Sequence, residues 1–339
     1  MAKRRDYDED DVRVRPGRHG SRPRTRRRPA HEDATAALVI AVDRGRYRCL
    51  AEPGTGDERA VTAMRARELG RKGVVVGDRV ALVGDVSGAT DTLARIVRVE
   101  PRSSALRRTA DDTDPFERIV VANADRLVIV TALADPEPRP RMIDRQLVAA
   151  YDAGMDPLLC LTKADLADPA DLIAQYAPLG FPCVATRLGG EQGDGDLSEL
   201  HRLLSGRTSV LVGHSGVGKS TLVNALVPDA ERAVGNVNAV TGRGRHTSSS
   251  AIALELPGAD GWIIDTPGVR SFGLAHVDPA NVIHAFEDLA EGAAERCPPQ
   301  CDHFQDDCGL DGWVAEGHAG RARLDSLRRL LASREGEPE

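Results

Sequence analysis

Apolar positions in this 339-residue chain change rhythm along its length. From about residue 36 they form short runs, at 37–41, 46–50, 73–76, 78–83 and 93–98, with Gly and Asp between them. Five such runs in about 65 residues predict a small barrel of the OB (oligonucleotide/oligosaccharide-binding) kind. From 126 onward the runs lose their polar alternation. Residues 126–131 and 157–162 read as strands buried on both faces, with Met142, Ile143, Leu147, Val148 and Tyr151 at helical spacing between them. Strands alternating with helices predict a parallel α/β sheet. The stretch from 101 to 115 reads as a linker between barrel and sheet. A last amphipathic pattern, 322–331, sets Leu324, Leu327, Leu330 and Leu331 on one side of a helix.

Residues 1–34 carry no such pattern. Eight Arg and no acid lie between Val12 and His31, broken up by Pro and Gly, so the segment reads as a disordered arm. It is either a solubilising tail or a salt-sensitive tether for RNA phosphates. The formal charge of −7 combines +4 over residues 1–35 with −11 elsewhere, so total charge gives no support to nucleic-acid binding. Within the barrel, Arg65, Arg67, Arg71 and Lys72 offer a phosphate-contacting edge. Tyr47 is its single aromatic, which makes base stacking there a poor explanation of RNA affinity. A barrel that only packs on its neighbour remains the alternative. No apolar run approaches the ~20 residues of a membrane span, and no apolar stretch follows the N-terminal charges. The expectation is a cytoplasmic protein with no membrane partner, whose six Cys stay reduced.

Candidate chemistry starts at 213–221, a G-x-x-x-x-G-K-S phosphate loop between a strand-like run and a helix-like one. Backbone N–H groups of Gly213, Ser215, Gly216, Val217 and Gly218 would close around phosphates. Lys219 would reach the β- and γ-phosphates, Ser220 would ligate Mg²⁺, and Thr221 continues the helix N-terminus. Thr162, Lys163 and Asp165 form a T-K-x-D tetrad at the end of a buried strand, the arrangement of a guanine reader. Asp165 would accept from guanine N1–H and the 2-amino group while the Lys163 stem lies along the ring, a polar match that adenine cannot make. The backbone of 183–186 would back the base. Downstream, Asp265 opens a D-x-x-G ending at Gly268, suited to Mg²⁺ and to sensing a γ-phosphate. Thr247, in the basic stretch 242–249, would complete the Mg²⁺ coordination.

Cys297, Cys301, His303 and Cys308 fall within twelve residues. Three thiolates and an imidazole satisfy tetrahedral Zn²⁺ with no open position, so one structural zinc site is expected. Cys49, Cys160 and Cys183 lie in strand-like runs and read as small core residues.

In an ordinary GTPase the phosphate loop precedes the base-reading tetrad; here the order is reversed. On the tetrad, the loop, the 242–249 segment, the D-x-x-G and the Cys/His cluster, the chain resembles the ribosome small-subunit-dependent GTPase A family of circularly permuted GTPases. That resemblance implies a multidomain protein: arm 1–34, OB-fold barrel 35–103, permuted α/β P-loop G domain 104–276 and a mainly helical zinc-binding domain 277–339. It implies hydrolysis of GTP to GDP and phosphate with Mg²⁺, late maturation of the 30S subunit, contact with 16S rRNA and stimulation by that subunit. A monomer is expected. Val269 replaces the Gln that follows D-x-x-G in many GTPases, and the resemblance points to His246 as the group that orients water. His246 as an RNA-contacting or merely exposed residue is the other reading. A phosphate-loop ATPase and a non-catalytic guanine-nucleotide module are the competing classes, separated by nucleotide competition and by phosphate release.

Overall fold

The computed structural model describes residues 31–43, 45–69, 73–108, 118–188, 195–228, 230, 251–258, 261–266, 274, 277–305 and 307–333. The elements below all belong to the unit Asp33–Glu339.

Five strands close a barrel: β1 (Thr35–Asp43), β2 (Arg46–Ala51), β3 (Arg59–Arg65), β4 (Arg79–Gly84) and β5 (Ala94–Val99). Their order is β1-β2-β3-β5-β4, with β4 returning to β1, and only β3 and β5 run parallel. Alternate positions fill the interior, with Val39, Cys49, Val61, Ala63, Leu82 and Ile96 almost fully buried. Two expectations fail here. Residues 73–76 do not form a barrel strand, and β3 takes that place. Asp78 accepts from Val75 N at 2.8 Å, diverting a donor that a ladder needs, and Val76 instead bridges to Val121.

Residues 101–108 of the presumed linker are also structured. Strand β6 (Ala105–Arg108) pairs antiparallel with β7 (Arg118–Ala122), and Leu106 is completely buried. Burying that leucine in the sheet's core stabilises the hairpin where polar neighbours had suggested a tether. At the same seam, a Cβ on Gly77 would lie 1.9 Å from the Ala122 carbonyl oxygen, and φ there is +88°. Arg102 grips the fully buried Asp78 through two hydrogen bonds, at 2.7 and 2.8 Å. The Asn123 amide donates to Gly77 O and accepts from Ser103 N.

The α/β sheet contains β8 (Arg126–Ala132), β9 (Asp156–Thr162), β10 (Cys183–Ala185), β11 (Thr208–Val212), β12 (Ile252–Glu255) and β13 (Trp262–Asp265). Its order is β10-β9-β8-β11-β13-β12, parallel except for β12. Every residue of β8 is buried, as the unbroken apolar run requires of a strand covered on both faces. Helices α1 (Pro140–Asp152), α2 (Ala170–Tyr176), α3 (Ser198–Leu204) and α4 (Lys219–Leu226) provide the cover. One single-residue pairing, Ala41 with Ile252, joins β1 to β12 and so links barrel and sheet.

The C-terminal part is helical: α5 (Pro279–Ile283), α6 (Glu287–Arg296), α7 (Gly309–Ala315) and α8 (Arg321–Ala332). The four leucines predicted on one face of α8 are buried in the core that also receives α1. Arg329 pairs with the buried Asp144 at 3.1 Å, and Arg145 donates to Ser333 O. Cys49 and Cys160 are fully buried and Cys183 half-buried; burial pushes the first two thiols up to about 12 and the third to about 11. They are inert core residues. No helix among the described residues is long and apolar enough to cross a membrane.

Candidate functional site

Strand β11 ends where the phosphate loop begins. A Cβ on Gly213 would sit 2.4 Å from the Val130 carbonyl oxygen, so only glycine lets the loop leave between β8 and β11. Gly218, at φ +84°, then turns the chain into α4. The result is a cavity of about 480 Å³ lined by both loop glycines, Gly216, Ser215, Lys219, Ser220 and Thr221. Lys163 and Asp265 reach the same cavity from other strands, β9 and β13. It lies beyond the carboxyl ends of the parallel strands, where open α/β sheets bind ligands.

Four side chains hold this arrangement. Thr162 Oγ1 donates to Val217 O at 2.6 Å, so the first tetrad residue pins the phosphate loop. The Thr266 hydroxyl donates to Leu211 O at 2.8 Å, tying the end of β13 to β11. Lys219 Nζ lies 3.2 Å from Asp265 Oδ1 and donates to Thr266 O at 3.1 Å. Lys163 adopts φ +58° and its ammonium donates to Asp135 O, which fixes its stem beside the loop. Ala164 N donates to Thr186 O at 3.1 Å, so the end of β10 does support the tetrad.

Not every predicted residue lines the cavity. Thr162 and Val217 are buried and Asp165 is exposed, and none of the three lines the cavity. His246, Thr247 and Gly268 lie outside the described residues, as do Val269, Arg71, Lys72 and the arm at 1–30. One lining residue was missed: His214, whose Nδ1 lies 2.9 Å from Ser215 O. As a variable position inside the G-x-x-x-x-G-K-S pattern, it carries no signal that could have singled it out.

Magnesium suits the donors present. Asp265 lines the cavity, and its buried Oδ1 makes no hydrogen bond among the described residues beyond its ion pair with Lys219, so the carboxylate keeps acceptor capacity for a cation. The Ser220 hydroxyl is exposed in the same wall. Hard oxygen donors of this kind are what Mg²⁺ selects.

The second site closes on itself. The ligand atoms of Cys297, Cys301, His303 and Cys308 all lie within 4.8 Å of one another. Cys297 Sγ is 3.7 Å from His303 Nδ1 and 3.9 Å from Cys308 Sγ, and Cys308 Sγ is 3.9 Å from His303 Nδ1. Zinc–ligand bonds of ordinary length give tetrahedron edges of about 3.6–3.8 Å, so a metal ion fits the centre. Burial, with repulsion from Cys308, pushes the Cys297 thiol up to about 12, and burial likewise raises Cys301. A cation among them reverses that preference. Burial also lowers the His303 pKa, favouring the neutral ring that can donate a lone pair. Arg328 Nε donates to His303 O at 2.7 Å and its two terminal nitrogens hold Asp311, so α7 and α8 brace the cluster.

The sequence model of the RsgA GTPase family matches residues 99–275. A protein of Pseudomonas fluorescens Pf-5 described as small ribosomal subunit biogenesis GTPase RsgA is 39% identical over 267 residues, covering 77% of this chain and 75% of the relative. One of the same description from Chromohalobacter salexigens is 37% identical with the same coverage. Among solved structures, YjeQ from Thermotoga maritima superimposes with TM-score 0.63 at 24% identity, over 90% of this chain and 99% of its own. YloQ, described as a circularly permuted GTPase, gives 0.63 at 20% identity over 91% and 98%. These two support the fold: a closed barrel, a permuted nucleotide-binding sheet and a helical end carrying the Cys/His cluster. With the family model spanning half the chain and relatives aligned over three quarters of it, this chain belongs to the RsgA GTPase family and is a GTP-hydrolysing enzyme.

Proposed function

We propose that this GTPase acts in late maturation of the 30S ribosomal subunit, and that contact with the subunit and its 16S rRNA stimulates hydrolysis. The observation that carries the reading is the single cavity in which Lys163, from upstream of the phosphate loop, meets Lys219 and the downstream Asp265. That convergence is what a permuted GTPase needs, and the relatives that share the order are described as small-subunit biogenesis GTPases.

The roles follow from position. The N–H groups of Gly213, Ser215, Gly216, Val217 and Gly218 cradle the phosphates, and Lys219 neutralises charge that develops on them. Asp165 reads guanine; Thr162 acts on the base only indirectly, by holding the loop. Ser220 and Thr247, with Asp265 behind them, would hold magnesium, which would supply positive charge beside the phosphates. With Val269 unable to orient water, His246 takes that part and Gly268 senses the γ-phosphate. Zinc in the Cys297, Cys301, His303 and Cys308 cluster is structural. Residues 35–103 and 277–339 face the subunit on either side of the GTPase domain, 104–276. The protein works as a cytoplasmic monomer.

Phosphate release from GTP, measured with and without purified 30S subunits, tests this. Slow release that rises at least tenfold with subunits is expected. Equal rates in both reactions would overturn the ribosomal reading and leave the GTPase assignment standing.

A further inference from the structure

A second cavity, of about 520 Å³, lies where the barrel meets the sheet and shares no lining residue with the nucleotide cavity. Leu38 and Ala81, on the outer face of β1 and β4, form one wall. Trp262 and Ile264 of β13 form the other. Trp262 begins the strand whose far end carries Asp265, so β13 contributes side chains to both cavities. Arg79 and Arg98 also line the cavity, and both are exposed. Arg98 pairs with Glu100 at 2.7 Å, whereas Arg79 has no ion-pair partner among the described residues.

Two apolar walls, one bearing a half-buried indole, make a slot for a flat aromatic group. Guanidinium groups beside the slot select a ligand with negative charge. We propose that this cleft receives one unstacked nucleotide of an RNA strand, its base against Trp262 and its backbone phosphate on Arg79. The choice of RNA rests on the ribosomal reading above, and the cleft's chemistry supports it. The two glycines that line the cleft, Gly54 and Gly77, already give their N–H groups to Glu58 and to Val39 O, and no helix start lines it, so a free nucleotide is held weakly. A nucleotide delivered as part of a polymer gains from its neighbours' contacts. The proposal also answers how a barrel without surface aromatics reads RNA. Tyr47 is only 6% exposed, so the stacking surface comes from the sheet instead.

A hexameric oligoribonucleotide containing one 5-iodouridine, irradiated with the full-length protein in the presence of GDP, provides the test. The expected cross-link maps to the peptide that contains Trp262. With a fluorescein-labelled hexamer, Trp262→Ala should weaken binding by about tenfold, in line with the loss of one stacked base. Arg79→Glu, at an exposed position that leaves the fold and basal hydrolysis intact, should weaken binding and lower the salt slope by about one. Cross-links confined to other peptides, or unchanged affinity in Arg79→Glu, would overturn the proposal. Competition by AMP as strong as by the unlabelled hexamer would overturn the assignment to RNA. Stimulation by 30S subunits is read separately: if it is present while the cross-link avoids Trp262, the cleft assignment alone falls.

Discussion

The phosphate loop and the Cys/His cluster are both built from loops, yet they are held in opposite ways. Around the phosphate loop, side chains from two other strands, β9 and β13, hold it from behind: Thr162 on Val217 O, Asp265 against Lys219, and Thr266, directly after β13, on Leu211 O of the strand that leads into the loop. The loop's own hydroxyl and N–H groups are left to face the cavity. In the cluster, the ligand atoms face one another across less than 4.8 Å, and the surrounding helices only brace them. A site supported from behind keeps donors free for a ligand that comes and goes. One whose donors point inward takes a single ion and uses it as structure.

That contrast predicts where each kind of damage appears. Cys301→Ser should have the largest effect on stability, because metal binding to such a cluster contributes on the order of 10 kcal/mol. Metal content should fall sharply and the α7–α8 segment should become protease-sensitive; full metal occupancy in the variant would erase the distinction. Lys219→Ala should do the reverse. Turnover falls by about 10²–10³ while thermal stability hardly moves, since the lysine serves charge on the nucleotide. A parallel loss of stability, followed by differential scanning fluorimetry, would make the lysine a structural element like the cysteines. Thr162→Val lies between the two. It strands the Val217 carbonyl, costing about 1–3 kcal/mol, and an unpinned loop should bind GTP up to about tenfold more weakly with kcat preserved. Isothermal titration beside steady-state rates separates those terms.

The smallest effect concerns Asp144, which braces α8 from α1. Burial raises its pKa, and the attraction of Arg329 only partly opposes that. A raised carboxylate favours the folded state below its ordinary range, and that contribution is lost as pH climbs through the raised value. Asp144→Asn should therefore flatten the acid side of the stability–pH curve between those two limits. An unchanged curve in urea melts would show that Arg329 fully offsets the burial.

The cluster and the nucleotide motifs were legible in the sequence because their chemistry demands fixed residues at short spacing. Cys297 to Cys308 and Gly213 to Ser220 need no tertiary context to be recognised. What escaped was set by long-range packing. Strand β3 is written in alanine, threonine, arginine and one methionine, with Val61 as its one branched apolar residue, so its β pattern is faint. Residues 74–76 look more like a strand than β3 does, but Asp78 captures the Val75 N–H. Thr162 reads as part of a base-binding tetrad, and only the fold shows its hydroxyl on the neighbouring loop. His214 reaches the cavity through loop geometry that no local pattern encodes.

The seam at Gly77 has a further consequence, in how the molecule comes apart. With the Ala122 carbonyl filling the place of a side chain, Asp78 locked to Arg102, and the β6–β7 hairpin buried where a tether was expected, no slack separates barrel from sheet. Most neighbouring domains melt independently because the chain between them is free. Here the barrel cannot open without exposing the hairpin, nor the hairpin without exposing the sheet. Heat should take them apart in one cooperative transition, so that a lesion in either is felt as instability of both.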